Sequence, residues 1–147
     1  MAVTAFDDGL RALAADLLDT MRAAPGVGIT GPHVGDMRRV VVIELGPGHP
    51  VETFVNPVLI EATGPPSSNM EGSVSMPGAN AGIERPSTAR IAYVDLFGRP
   101  METEATGFRA IVLQHEIDQL DGIFWLKRLS RLKRERVVRA WTKGQRA

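Results

Sequence analysis

A helix that is apolar on almost every side is the feature of this sequence that most limits how the chain can fold. Residues 106–120 place apolar side chains around nearly the whole helical circumference: Phe108, Ile111, Val112, Leu113, Ile117 and Leu120. Such a helix has no face suited to water, so we expect it in the core with the other elements wrapped around it. Thr106 is its expected N-cap.

Helices are also predicted at both ends of the chain. Residues 4–24 carry leucines at helical spacing, and Thr4 with Asp7 matches a capping box. From Lys127 onward the chain holds nine Lys or Arg against one Glu, a net charge of +8. We favour a helix with its cations in solvent over contact with nucleic acid or another polyanion. Its apolar side chains are expected to dock on the domain: Leu132, Val137, Val138 and Trp141.

Between the first helix and the buried helix the sequence favours β-structure. Five segments have the β-branched and alternating composition of strands: residues 39–45, 51–55, 58–62, 89–95 and 100–105. The last two read as a hairpin, and the glycine and prolines of residues 64–69 predict a loop. Because strands and helices do not alternate, the expected class is α+β, with mostly antiparallel sheets around the central helix.

Length and composition limit the possible classes of protein. The 147 residues suit one domain spanning positions 1–147, large enough to bury a core without covalent staples. The absence of cysteine excludes disulfides, thiolate metal ligands and cysteine nucleophiles. The first residues lack the pattern of a signal peptide, and no apolar run reaches the length of a membrane span, so we expect a cytoplasmic protein without membrane contact.

One turn of the central helix carries a truncated metal-binding pattern. His115 and Glu116 match the start of H-E-x-x-H, in which two histidines four residues apart hold zinc beside a general-base glutamate. The second histidine is replaced by Gln119. The helix is therefore built like that of a metallohydrolase but offers one imidazole ligand where two are needed.

Two further segments are unusual. Residues 26–31 match G-x-G-x-x-G, but they follow a helix and lead to a strand, which is the wrong context for dinucleotide binding; His33 lies just beyond them. Residues 71–78 read Glu-Gly-Ser-Val-Ser-Met-Pro-Gly. Each segment taken alone would be a turn. Together with the 114–119 turn they resemble, in order and separation, the motifs of the peptide deformylase family: G-x-G-x-A-A-x-Q, E-G-C-x-S and Q-H-E-x-D-H.

The resemblance implies a metal site that has lost most of its ligands. Family members hold iron or zinc through the cysteine of the second motif and both histidines of the third. At these positions the chain has Ser73, His115 and Gln119, so only His115 survives as a ligand. If each ligand carries about 3 kcal/mol of a structural zinc site, losing two removes about 6 kcal/mol, or about four decades of affinity.

The resemblance also assigns roles in hydrolysis of the formyl group from N-formylmethionyl peptides of nascent chains. Glu116 aligns with the general base, His33 with the glutamine that polarises the formyl oxygen, and the Val74 N–H with an oxyanion donor. The family's ribosome-linked role makes the ribosome a possible partner for the basic C-terminal helix. The expected substrate pocket comprises Gly28, Glu71, Gly72, Phe108, Ile111 and Val112, although we expect at least one of the last three to be ordinary core.

Three functions stay open at this point. The leading expectation is a pseudoenzyme with weak or absent deformylase activity, whose former site persists as a polar cluster in a binding module. A metal site rebuilt from His33, His115 and a carboxylate is the second. A Ser73 nucleophile is less favoured, because no G-x-S-x-G pattern surrounds it. A buried Glu116 should have a raised pKa unless His33 or His115 pairs with it.

Overall fold

The computed structural model describes residues 1–73, 76 and 78–146, which form a five-stranded antiparallel sheet in the order β1-β2-β3-β4-β5. The strands are β1 Gly28–Thr30, β2 Val40–Glu44, β3 Val51–Glu71, β4 Ala81–Val94 and β5 Pro100–Thr106. The helices are α1 Asp8–Ala23, α2 Gly107–Leu120 and α3 Arg131–Arg146, with short 3₁₀ turns at Gly31–Val34 and Trp125–Arg128. The expected α+β class with antiparallel pairing is confirmed.

Strand β2 is apolar without alternation because both of its faces are covered. Val40 and Val42 belong to a core with α1, whereas Val41 and Ile43 belong to a core with α2. All four side chains are 0 or 1% exposed. A continuous apolar run is typical of a strand that is buried on both sides. The sheet therefore separates the two helices.

Helix α1 begins later than the sequence predicts. Asp7 is the N-cap, and its side chain accepts a hydrogen bond from the Leu10 N–H at 3.0 Å. The expected capping box of Thr4 with Asp7 is therefore wrong, because the carboxylate of Asp7 caps the helix directly. The buried face of α1 is the one that the spacing predicts: Leu10, Leu13, Ala14, Leu17 and Met21.

Strand β3 is longer than expected. The segments predicted as two short strands and a loop form one element of 21 residues that pairs with β4 over most of its length. Asn56 has a positive φ of 49°, and the register shifts between Val55 and Val58. The predicted loop at residues 64–69 is wrong. Proline is tolerated there because, among the described residues, β2 pairs only with Val51 to Val55, which leaves β3 beyond them without a neighbour on that side.

Helix α2 is buried as expected, including its polar turn. Residues from Ala110 to Asp118 are all buried, with Asp118 the most exposed of them at 8%. Phe108 departs from the expectation, since it is 50% exposed at the start of the helix. Thr106 is the N-cap but makes no capping hydrogen bond through its side chain.

The C-terminal segment packs through a separate apolar cluster centred on Trp125, which is fully buried. Val137 and Trp141 of α3 contact this cluster as predicted, whereas Leu132 and Val138 are 58 and 39% exposed. Half of the expected docking residues therefore face solvent. Among the residues described, no helix is long and apolar enough to cross a membrane.

Candidate functional site

Three elements meet where the sequence motifs lie. Strand β1 and the following turn carry Gly28 and His33, and the end of β3 leads into Ser73. Helix α2 presents His115, Glu116 and Gln119 toward both. The fold therefore brings segments that are about forty residues apart in sequence into hydrogen-bonding distance of each other.

The imidazole of His115 is fixed by a carboxylate. Its Nδ1 lies 2.8 Å from Oε1 of Glu71, and Arg85 donates to both oxygens of Glu71 at 2.6 and 2.9 Å. Burial alone would raise the pKa of Glu71, but the hydrogen bonds from His115 and Arg85 outweigh it and hold the pKa below its usual value. An ionised Glu71 only accepts, so Nδ1 of His115 carries a proton. In the neutral form of the ring, the only form that can bind a metal ion, Nε2 is then the acceptor.

The side-chain amide of Gln119 fills the space beside that acceptor. Its Nε2 lies 3.0 Å from Nε2 of His115 and 3.3 Å from Oγ of Ser73. Both N–H groups of the amide are thereby engaged. The lone pair with which His115 would bind a metal ion instead accepts a hydrogen bond from the protein.

The residues present do not fit the metal of the resembled family. Within the described part of the chain, no three His, Asp or Glu side chains lie close enough together to hold a metal ion. A serine hydroxyl and an amide are weak ligands for zinc or iron compared with thiolate and imidazole. His115 also has its metal-binding nitrogen turned to Gln119.

His33 approaches Ser73 from the other side. Its Nδ1 accepts a hydrogen bond from the Thr30 N–H at 3.0 Å and lies 2.8 Å from the Thr30 hydroxyl, and its Nε2 lies 3.4 Å from Oγ of Ser73. Burial lowers the pKa of His33, with a further contribution from the nearby His115. A neutral ring that accepts at Nδ1 carries its proton on Nε2, so His33 donates toward Ser73 and is not in the state needed to deprotonate it.

Glu116 is buried without a hydrogen-bonding partner for one of its oxygens. The residue is 5% exposed, and no group in the described residues hydrogen-bonds to its Oε2. His115 lies 3.9 Å away, which is too far for a hydrogen bond. Burial raises the pKa of Glu116 to about 7, and neither expected partner pairs with it closely enough to reverse that effect.

Glycine at position 28 makes room for this carboxyl group. A Cβ atom at Gly28 would lie 2.8 Å from Oε1 of Glu116 and 3.0 Å from its Cδ. The G-x-G pattern therefore has a steric reason here, which is close approach of the β1 backbone to α2.

A cavity of about 550 Å³ opens above Glu116 and His115. All six expected pocket residues line it: Gly28, Glu71, Gly72, Phe108, Ile111 and Val112. Ile111 and Val112 are 2 and 6% exposed and belong to the wall, while Phe108 is half-exposed. The cavity joins apolar walls to the buried carboxyl group. Val74, the expected oxyanion donor, lies outside the described residues.

Two arginines that the sequence analysis did not single out, Arg85 and Arg128, hold the carboxylates next to the site. Arg85 bridges Glu71 and Asp118, with an Nη1 to Oδ2 distance of 2.8 Å to the latter. Arg128 donates to both oxygens of Asp118 at 2.9 and 2.7 Å. We call Glu71, Arg85, Asp118 and Arg128 the charged network. Arg85 lies 14 residues from Glu71 and 33 from Asp118, so no local pattern could have revealed it.

Four further polar side chains form a second group. We call His33, Ser73, His115 and Gln119 the polar cluster; it touches the charged network through the bond between His115 and Glu71. Glu116 lies next to the cluster but forms no close hydrogen bond to it within the described residues.

Comparisons with known proteins agree with this architecture. The family model described as polypeptide deformylase matches residues 1–135. Proteins named peptide deformylase-like from Agrobacterium fabrum and Brucella suis are 55 and 53% identical, over 97 and 98% of this chain and 87 and 88% of their own length. A protein named peptide deformylase from the same Brucella suis strain is 41% identical, over 96% of this chain and 82% of its own.

The fold is also that of solved deformylases. The crystal structure of a peptide deformylase from Synechococcus elongatus in complex with actinonin matches with a TM-score of 0.91 and 32% identity, over 98% of this chain and 79% of that one. The sequence match and the fold lead to the same assignment, and the resemblance drawn from the three motifs is confirmed. The chain belongs to the polypeptide deformylase family.

Proposed function

We propose that this chain is a peptide deformylase-like binding protein with weak or absent deformylase activity. The observation that carries the proposal is the 3.0 Å contact in which the Gln119 amide donates to Nε2 of His115. One lone pair cannot serve both an amide N–H and a metal ion. The protein thus satisfies internally the nitrogen that metal binding would require.

The other residues of the polar cluster support the same conclusion. Ser73 stands where the family has a thiolate, and it receives the second N–H of Gln119 at 3.3 Å. Loss of about 6 kcal/mol of ligand energy lowers metal affinity by about four decades. Retention of Glu116 does not by itself supply catalysis, because in the family the general base acts on a metal-bound water, and Ser73 and Gln119 replace two of the ligands that would hold that metal.

A rebuilt metal site is the second candidate. Both imidazoles face the same small space, since His33 lies 3.4 Å from Ser73 and His115 contacts Gln119, which also contacts Ser73. Metal binding there would require His33 to lose its Nε2 proton and Gln119 to leave His115. We rank it second because each change breaks a hydrogen bond that the fold makes.

The names of the relatives are consistent with a role for this chain other than deformylation. One strain of Brucella suis has both a protein named peptide deformylase and one named peptide deformylase-like, and this chain is more similar to the latter, at 53% against 41% identity. A second family member beside a deformylase can lose the reaction without depriving its organism of it.

The proposed partners follow from the family and from the charge of α3. We propose the amino-terminal segment of nascent chains as the ligand and the ribosome as a second partner, reached through the cations of α3, which would place the protein in the cytoplasm. Binding to ribosomes should weaken as salt is raised, because each phosphate contact releases counterions. Cosedimentation at two salt concentrations measures it.

Metal analysis combined with an activity assay tests the proposal. The chain is purified without chelator, its zinc and iron are measured, and turnover of formyl-Met-Ala-Ser is compared with that of the Brucella suis deformylase. We expect metal far below one equivalent and turnover lower by about three decades or more. Near-stoichiometric metal with vigorous turnover would overturn the proposal.

Restoring the ligands provides the matched variant. Ser73→Cys with Gln119→His should raise metal content toward one equivalent, and Glu116→Ala in that background should retain the metal but lose any recovered turnover. If the double variant gains no metal, the site has diverged beyond its ligands.

A further inference from the structure

Resting on the proposed loss of metal, we infer that the cavity binds a free, unformylated amino terminus with a large apolar first side chain. The α-ammonium group would pair with the carboxylate of Glu116. The inference thus names the ligand of the binding protein proposed above.

The charges around the cavity favour a cationic head group. In the charged network two carboxylates face two guanidinium groups, and every pairing is a hydrogen-bonded contact of 2.6–2.9 Å. Glu116 takes no part in these ion pairs, and the nearest basic side chain, His115, is 3.9 Å from its Oε1. Its carboxylate therefore has no close counter-ion in the described part of the chain. A buried carboxylate of this kind is stabilised by a ligand that brings a positive charge.

The hydrogen-bonding groups point the same way. The N–H groups of Gln119 and His115 and the Nε2 proton of His33 are directed at other protein atoms. The Oε2 of Glu116, by contrast, is an acceptor with no donor among the described residues. An ammonium group supplies three donors for this acceptor, whereas the carbonyl oxygen of a formyl group can only accept.

The residues that line the cavity indicate which kind of side chain the ligand carries next to its ammonium group. Ile111 and Val112 are buried in the wall, and Phe108 and Met70 are half-exposed or more at its rim. The volume of about 550 Å³ accommodates a methionine or leucine side chain with the first peptide units. A free amino acid would carry its own carboxylate beside Glu116, and like charges repel, so a peptide with a neutral first amide fits better.

Calorimetry with three peptides tests the inference on the wild-type chain. Met-Ala-Ser is expected to bind about tenfold or more tightly than formyl-Met-Ala-Ser, because only the former brings the cation. Gly-Ala-Ser should bind about tenfold or more weakly than Met-Ala-Ser, because it leaves the apolar wall unfilled. Equal or tighter binding of the formylated peptide would overturn the inference, and so would failure of Met-Ala-Ser to bind.

Substitution of the carboxylate identifies the group responsible. Glu116→Gln should abolish the preference for the free amine, and Glu104→Gln, which removes an exposed carboxylate on β5, should leave it unchanged. A preference that survives Glu116→Gln in a folded variant would overturn the assignment. The peptide comparison on the wild type stands by itself if the variant does not fold.

Metal content and turnover of the same preparation separate the two proposals. A metal-loaded, active sample would refute the proposed function. A metal-free, inactive sample that prefers the formylated peptide would refute only the ligand inferred here.

Discussion

The charged network and the polar cluster lie side by side, yet they are held together very differently. The network uses doubly hydrogen-bonded ion pairs of 2.6–2.9 Å. The cluster uses single contacts of 3.0–3.4 Å between side chains, and the Gln119 carbonyl oxygen has no partner among the described residues. Both contain positions of the family motifs, so the difference shows which positions the fold itself requires.

The energetic contrast explains why some motif residues are retained. Removing one member of a buried ion network leaves its partner uncompensated, so Glu71 and Asp118 are needed whether or not the protein catalyses a reaction. Ser73 and Gln119, which replace a thiolate and an imidazole of the family, are both uncharged and hydrogen-bond to each other. Retention of Glu71 and Asp118 is thus no sign of deformylase activity.

Breaking the network should have the largest effect. Arg85→Met leaves Glu71 and Asp118 buried without their shared cation, and we expect a loss of about 3–5 kcal/mol in the free energy of unfolding. Urea denaturation measures it. Arg90→Met on the same strand is the control: Arg90 is 44% exposed in its pairing with Glu102 and should cost less than about 1 kcal/mol. Similar losses in both variants would show that the buried network adds no more stability than an exposed ion pair.

The pH dependence of stability tests Glu116. Its folded-state pKa is raised from 4.5 to about 7, so the folded state binds the proton more tightly than the unfolded state. The resulting stabilisation is complete below about pH 4.5 and is lost as pH rises to about 7, by at most about 3 kcal/mol. Glu116→Gln should remove this loss.

The comparison with Glu116→Gln also separates the contribution of His33. The pKa of His33 is lowered, so its effect has the opposite sign: stability is lost as pH falls below the unfolded value of 6.5. The difference between wild type and Glu116→Gln, followed by thermal or urea unfolding from pH 5 to 8, isolates Glu116. A difference that is constant with pH would contradict a raised pKa.

A larger side chain at position 28 of β1, next to Glu116, should have an intermediate effect on the free energy of unfolding. Gly28→Ala places a Cβ atom 2.8 Å from Oε1 of Glu116, and we expect a loss of about 1–3 kcal/mol from overpacking. The loss should shrink in a Glu116→Ala background, because the clashing group is absent. Gly144→Ala in α3, where nothing lies within 4 Å, should instead stabilise by about 0.5–1 kcal/mol.

Truncation within the polar cluster should have the smallest effect. The contacts of Ser73 with His33 and Gln119 are 3.4 and 3.3 Å long, so Ser73→Ala is expected to cost less than about 1 kcal/mol. Urea denaturation beside Arg85→Met gives the comparison directly. A cost equal to that of Arg85→Met would show that the cluster is as essential to the fold as the network.

Local patterns were enough to predict the helices and the class of fold. The spacing of Leu10, Leu17 and Met21 located α1, and the apolar circumference of 106–120 located α2. The β3 segment at residues 64–69 was missed because glycine and proline usually mark loops. Here they lie where, in the described residues, the strand has only β4 beside it.

Only the site residues that belong to the sequence motifs could be predicted. Positions 33, 73, 115, 116 and 119 came from motif spacing, and the structure places the first three and Gln119 in one chain of contacts. Arg85 and Arg128 could not be predicted, because their partners are set by the packing of β3, β4 and α2. The lack of a hydrogen-bonding partner for Glu116 Oε2 is likewise a property of the packed core.

The Gln119 amide also changes how the site responds to iron supply and to oxidants. A centre built on thiolate and ferrous iron depends on iron supply and is damaged by peroxide. In this chain hydrogen bonds from Gln119 hold Ser73 and His115 in place, and cysteine is absent from the sequence. The polar cluster should therefore be the same in iron-starved and in oxidatively stressed cells, whatever the redox state of the exposed Met70 at the rim of the cavity.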